Sequence, residues 1–275
     1  MAYIELTFSL LNNESVLEIL SARLSMLGFD SFFEDEEGFR AYCPEENLNL
    51  PEIESLMLEP VFSELKLLSF KPLEDKNWNE IWESSYEPVL IDDCCFIRAP
   101  FHEKKDVEYN ILIEPKMSFG TAHHETTAQM IGWVLKTDLK GLSLLDMGCG
   151  TAVLAILARL KGADPVLAID NDTWAYNNSC ENVILNQTAD IKVVMGDATA
   201  IGDQTFDVIL ANINRNILLN DMHLYASALK TGGMLFLSGF YESDLDSIRL
   251  SANQNGLSYL DHTIKNQWVA AKFSK

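Results

Sequence analysis

Residues 144–154 read Leu-Leu-Asp-Met-Gly-Cys-Gly-Thr-Ala-Val-Leu, and this segment constrains the fold more than any other. An apolar run stops at two glycines one residue apart, and a second apolar stretch of helical spacing follows at once. Strand, glycine turn and helix in that order open an α/β sheet that holds a ligand at its strand ends. The chain from residue 111 onward repeats the alternation. Strands are predicted near 143–147, 165–170, 191–195, 206–211, 232–238, 257–264 and 267–273, and helices near 123–137, 152–161, 173–185, 215–228 and 242–254. That order predicts an α/β fold: a mostly parallel seven-stranded sheet with helices on both faces, Rossmann-like in plan. A few residues separate the last two strands, so an antiparallel hairpin at the sheet edge is expected.

The first 70 residues follow another plan. A strand at 3–9, a helix at 13–27 capped by Asn12 or Asn13, and a hairpin of 29–34 and 38–43 turning through Glu36-Glu37-Gly38 come first. A helix at 51–58 opened by Pro51 and a strand at 62–70 complete a β-α-β-β-α-β order, that of a small ferredoxin-like α+β domain. Residues 71–110 read as a structured linker, with Trp78 and Trp82 four apart on a short helix as packing residues between domains, then a break at Pro88 and a strand-like stretch around Phe96-Ile97-Arg98. The expected organisation is therefore a ferredoxin-like domain at 1–70, a linker at 71–110 and a ligand-binding domain at 111–275.

Bulk properties narrow the function. Hydrophobic residues make up 48% and charged residues 22%, which suits a soluble folded chain. No apolar run approaches the roughly 20 residues that cross a bilayer, and the N-terminus has no basic region of a signal peptide. Five cysteines, an odd number without C-x-x-C, argue against disulfides or a zinc site and for a reducing cytoplasm. With 41 acids against 20 Lys and Arg, a net charge of −21 argues against direct binding to nucleic acid. Residues 1–70 alone hold 14 acids against 3 bases. Such charge keeps a protein in solution or draws in a basic partner.

The ligand type follows from what surrounds the glycines. There is no G-x-x-x-x-G-K-[ST], so a P-loop is excluded, and Val153 stands where a dinucleotide fingerprint has its third glycine. Gly148 and Gly150 permit close backbone approach. Asp146 is unfavourable beside a pyrophosphate but suits a cationic ligand without phosphate, such as S-adenosylmethionine. Asp170 lies 22 residues after Gly148, where an acid that binds ribose is expected, the alternative being a solvated strand-end acid. Asp197 is expected either to accept from an adenine amino group or to cap a turn. Asn212 ends the fourth strand, where an uncharged amide can accept a substrate N–H. Cys149 has no base nearby, and His123 and His124 lack a third metal ligand, so no metal is expected.

D-x-G-x-G, Asp170, Gly196-Asp197 and Asn212 resemble class I S-adenosylmethionine methyltransferases. Upstream, residues 114–127 (Glu-Pro-Lys-Met-Ser-Phe-Gly-Thr-Ala-His-His-Glu-Thr-Thr) are similar to the D-P-G-x-A-F-G-T-G-x-H-x-T-T signature of the PrmA family. The Trp78/Trp82 segment, Ser238-Gly239-Phe240 and Trp268-Val269-Ala270-Ala271 resemble it too. The resemblance implies methyl transfer from S-adenosylmethionine to lysine and N-terminal amines of protein eleven of the large ribosomal subunit. It further implies that Phe119, Gly120, Thr121, Thr127, Asp146, Gly148, Gly150, Asp170, Asp197 and Asn212 hold the cofactor, with Asn212 also orienting the amine. The first 70 residues would recognise the protein substrate. Ala122 and Ala152 depart from the pattern, standing where the family has Gly. Each added methyl is expected to crowd the cofactor or demand a less flexible loop.

Overall fold

The computed structural model describes residues 3–9, 14–35, 38–63, 65–73, 86–116 and 120–275. The chain divides into two compact units, residues 1–84 and 85–275. In the first, β1 (Tyr3–Phe8), α1 (Glu14–Met26), β2 (Ser31–Asp35), β3 (Gly38–Pro44), α2 (Leu50–Met57) and β4 (Leu67–Leu73) follow the expected order. The sheet runs β2-β3-β1-β4, antiparallel throughout, which is the ferredoxin-like arrangement. Alternate residues Ile4, Leu6 and Phe8 of β1 turn to one face. There they join Leu17, Leu20 and Leu24 of α1 and Ile53 of α2 in one buried cluster.

The last strand of this unit starts later than its sequence pattern predicts. Pro60–Phe62 form a helical turn, because Pro60 fixes a helical φ at its first position, and Phe62 fills the core from that turn rather than from a strand. Asn12, Asn13, the Glu36-Glu37 turn, Trp78 and Trp82 lie outside the described residues.

The segment read as a linker does not stay one. Val89–Ile91 (β5), Cys95–Arg98 (β6) and Tyr109–Leu112 (β7) form a three-stranded sheet in the second unit. The physical reason is burial: Ile91, Cys95, Ile97, Ile111 and Ile113 enter the core of that unit. Its elements continue as α3 (Glu125–Lys136), β8 (Leu144–Met147), α4 (Val153–Leu160), β9 (Val166–Asp170), α5 (Thr173–Leu185) and β10 (Lys192–Met195). Then come β11 (Phe206–Asn212), α6 (Arg215–Ala228), β12 (Leu229–Tyr241), α7 (Leu245–Gln254), β13 (Ser258–Lys265) and β14 (Trp268–Ser274).

The main sheet has seven strands in the order β10-β9-β8-β11-β12-β14-β13. β8 to β12 are parallel, and β14 enters antiparallel between β12 and β13. Chain order reverses between β8 and β11, the switch point where such sheets bind ligands. Successive strand residues serve opposite faces. Leu144, Val208 and Leu210 pack with α3 and α4, whereas Leu145, Ile209 and Ala211 pack with α6 and α7. Among the described residues, no helix is long and apolar enough to cross a membrane.

Candidate active site

The strand period of two decides which side chains meet at the switch point. Asp146, Asp170 and Asn212 fall in register with Leu144, Ala168 and Leu210, so all three turn to the α3/α4 face at the carboxyl ends of β8, β9 and β11. Each is buried, at 1%, 8% and 9% exposure. Their partners differ, and so do their roles.

Asp170 organises the glycine turn. Its Oδ2 accepts the Gly150 N–H at 2.8 Å and its Oδ1 accepts the Asp172 N–H at 3.0 Å. Asp172 in turn accepts the Ala175 N–H and caps α5. Gly148 lies beside β11 at a φ of 69°, and a Cβ placed on it would come within 2.1 Å of Ile213 Cγ2. Only glycine leaves the crevice open there.

Asp146 accepts the Ala155 N–H of α4 at 3.0 Å. Burial pushes its carboxyl up to about 7, against the pull of the Ala155 N–H and with a further push from Asp170. Its Oδ2 ties the end of β8 to the first turn of α4. Cys149 is also buried, its thiol raised well above the usual range by desolvation and then by the two acids, so it is no nucleophile.

Asp197, exposed at the surface, caps a turn. Its Oδ1 accepts the Thr199 N–H at 2.9 Å and the Thr199 hydroxyl at 2.5 Å, starting the turn at Ala198–Ile201. Asn212 donates from Nδ2 to Thr127 Oγ1 at 3.2 Å, and its Oδ1 is buried with no partner. Thr127 is itself buried, at 1% exposure. Gly120 has a φ of 104°, and its C=O accepts from Thr151 Oγ1 at 2.7 Å. Thr121 Oγ1 pairs with His123 Nδ1 at 3.0 Å, and His124 caps α3 by accepting the Thr126 N–H. Phe119 lies outside the described residues. Among the described residues no cluster suits a metal ion.

Sequence reasoning missed Thr151, Asn178 and Asn182, each 0% exposed. Asn182 Oδ1 accepts the Glu114 N–H at 2.9 Å, while its Nδ2 donates to the Thr151 C=O at 3.0 Å. Asn178 Nδ2 donates to the Glu114 C=O at 3.3 Å. A signal was present: Asn178, Asn182 and Asn186 recur every four residues on one helix, where an apolar stripe would be ordinary.

A seven-stranded sheet with β14 reversed, a glycine turn after β8 and an acid ending β9 define a class I S-adenosylmethionine-dependent methyltransferase. The residues suit that cofactor: space at Gly148 for close approach, a buried carboxylate ending β9, and an orphaned amide acceptor at the end of β11. The family profile "Ribosomal protein L11 methyltransferase (PrmA)" matches residues 18–275, and the chain belongs to that family. A ribosomal protein L11 methyltransferase of Bacteroides fragilis is 47% identical, covering 99% of both chains. Its counterpart in Bacteroides thetaiotaomicron is 46% identical over 100% of both. The crystal structure of a ribosomal protein L11 methylase from Lactobacillus delbrueckii subsp. bulgaricus superposes with a TM-score of 0.65 at 27% identity. It covers 69% of this chain and 99% of that one.

Proposed function

We propose that this chain methylates lysine side chains and the N-terminal amine of ribosomal protein L11, drawing on S-adenosylmethionine. The observation that carries the chemistry is Asn212 Oδ1, a buried acceptor without a partner at the end of a central strand. Bound S-adenosylmethionine supplies a methyl group on a cationic sulfur, the electrophile of the reaction. Asn212 accepts one N–H of the incoming amine and so aims the nitrogen lone pair. Asn212 Nδ2 donates to Thr127 Oγ1, which leaves Oδ1 as the atom open to the substrate. A buried site disfavours an ammonium ion, which pushes the lysine toward the neutral form that has a lone pair to give. The names of the curated relatives support L11 as the protein substrate.

Residues 1–70 are assigned to substrate recognition. Their 14 acids against 3 bases suit a lysine-rich ribosomal protein, and charge of this kind mainly speeds encounter. The direct test is incubation with L11 and labelled S-adenosylmethionine followed by mass spectrometry, with label expected on lysine and N-terminal amines. A chain that binds the cofactor but leaves L11 unlabelled would reject the substrate. For Asn212→Ala, kcat should fall by about a hundredfold while cofactor affinity stays within about threefold, because the lost contact is to the amine. Unchanged turnover at saturation, with weakened cofactor binding, would move Asn212 out of the amine-orienting role.

A further inference from the structure

We infer that Thr151, whose C=O is held by Asn182, is a positioning residue for the cofactor: its hydroxyl sets where Gly120 and Thr121 stand against the Gly148–Gly150 turn. The inference rests on the reading of Gly120 and Thr121 as cofactor contacts. Three observations carry it. First, Thr151 and Asn182 together grip two points of the segment that precedes α3. Asn182 Oδ1 holds the Glu114 N–H, and Thr151 Oγ1 donates to the Gly120 C=O. The Asn182 Nδ2 bond to the Thr151 C=O closes the connection between them.

Second, these polar groups are wholly buried, yet each is used. Thr151 and Asn182 are 0% exposed, and burying an unpaired hydroxyl or amide is costly. An apolar pair would fill the same space more cheaply, so what the polar pair adds is a defined position for the backbone it grips. Third, Gly120 is fitted to Thr151. A Cβ on Gly120 would lie 2.9 Å from Thr151 Oγ1, and its φ of 104° already excludes most side chains. Residue 120 is thus held close to the turn, with Thr151 immediately after Gly150, whose N–H sits on Asp170. The ribose acid, the turn and Gly120 become one rigid arrangement.

Two single substitutions separate positioning from simple packing. Thr151→Val keeps the branched shape and loses the hydroxyl. Thr151→Ser keeps the hydroxyl and loses a buried methyl. Calorimetry with S-adenosylmethionine and melting curves of the cofactor-free protein are measured for both, alongside kcat at saturating cofactor. The expected result is that Thr151→Val weakens cofactor binding about five- to tenfold, as loss of one hydrogen bond implies, with kcat at saturation within about twofold. Thr151→Ser should bind nearly as the original chain does, even though its melting temperature drops. A merely structural residue would give affinities that track the two melting temperatures, and that pattern overturns the inference, as does unchanged affinity in Thr151→Val. If the valine variant does not fold, Thr151→Ala against Thr151→Ser applies the same comparison. Failure of the unaltered chain to bind S-adenosylmethionine would instead reject the cofactor reading itself.

Discussion

Asp146 is the residue whose chemistry the sequence hid most. Its place on the α3/α4 face was legible, because the period of a strand puts residues 144, 146, 168, 170, 210 and 212 together. Its partner was not, because the first turn of α4 curls back over β8 only once Ala152 has reversed the chain. The outcome is a buried acid with a raised pKa. An ordinary aspartate ionises near 3.9 when unfolded, while this one ionises at about 7 in the fold. The folded chain therefore binds the proton more tightly, and this group's contribution to stability is lost as pH rises from about 4 to about 7. The loss is on the order of 4 kcal/mol above pH 7. Asp146→Asn lacks this dependence. Its unfolding free energy should gain on that of the unaltered chain between pH 4 and 7 and run parallel above. Denaturant titrations that stay parallel across the whole range would show that folding does not raise the Asp146 pKa.

Among the elements, α4 shows how a family glycine can be replaced. Ala122 and Ala152 both adopt left-handed backbone, at φ of 67° and 61°, and Ala152 leads directly into α4. The sequence showed the departure; the structure shows that the conformation is kept and the strain accepted. A left-handed alanine costs roughly 1–2 kcal/mol. Its replacement by glycine relieves that but gives back unfolded-state entropy of about 0.4–1 kcal/mol and one buried methyl of about 0.8 kcal/mol. The terms nearly cancel. Ala152→Gly should therefore leave stability within about 1 kcal/mol, whereas Ala158→Gly inside α4 should lose more than that, having no strain to relieve. Equal losses at the two sites would mean that Ala152 is unstrained. In α5 the situation is reversed. The helix was legible end to end, but its asparagine stripe grips backbone instead of filling a core, and pattern reading rewards only apolar stripes.

For the whole molecule, the succession of strands and helices and the edge hairpin were readable from alternation and spacing, the order of strands within the sheet was not, and the division into units only in part. The strand-like stretch at Phe96-Ile97-Arg98 became β6, but the linker pattern masked β5 and β7 because short strands with exposed neighbours carry little periodic signal, whereas their burial depends on α3 and α4 farther along the chain. If the acidic first unit draws in L11, kcat/KM should fall as salt rises, since charges separated by more than about 8 Å are screened at physiological ionic strength. Affinity for S-adenosylmethionine should change little over the same range. A chain beginning at residue 85 should keep cofactor affinity and lose both efficient methylation of L11 and most of the salt dependence. Equal efficiency with and without the first unit would return its acids to a role in solubility.

The sheet of the second unit also has two free edges, and they are handled differently. β10 offers four residues, too few to recruit another strand firmly. β13 offers eight, with Leu260 and Ile264 exposed at 50% and 43%. Its pairing with β14 slips between Tyr259 and Asp261, so the strand bends where a visiting chain would need it straight. Asp261 and Lys265 place charge along the same edge. An irregularity of this kind, like charge along an edge, disfavours pairing of that edge with the edge of another sheet.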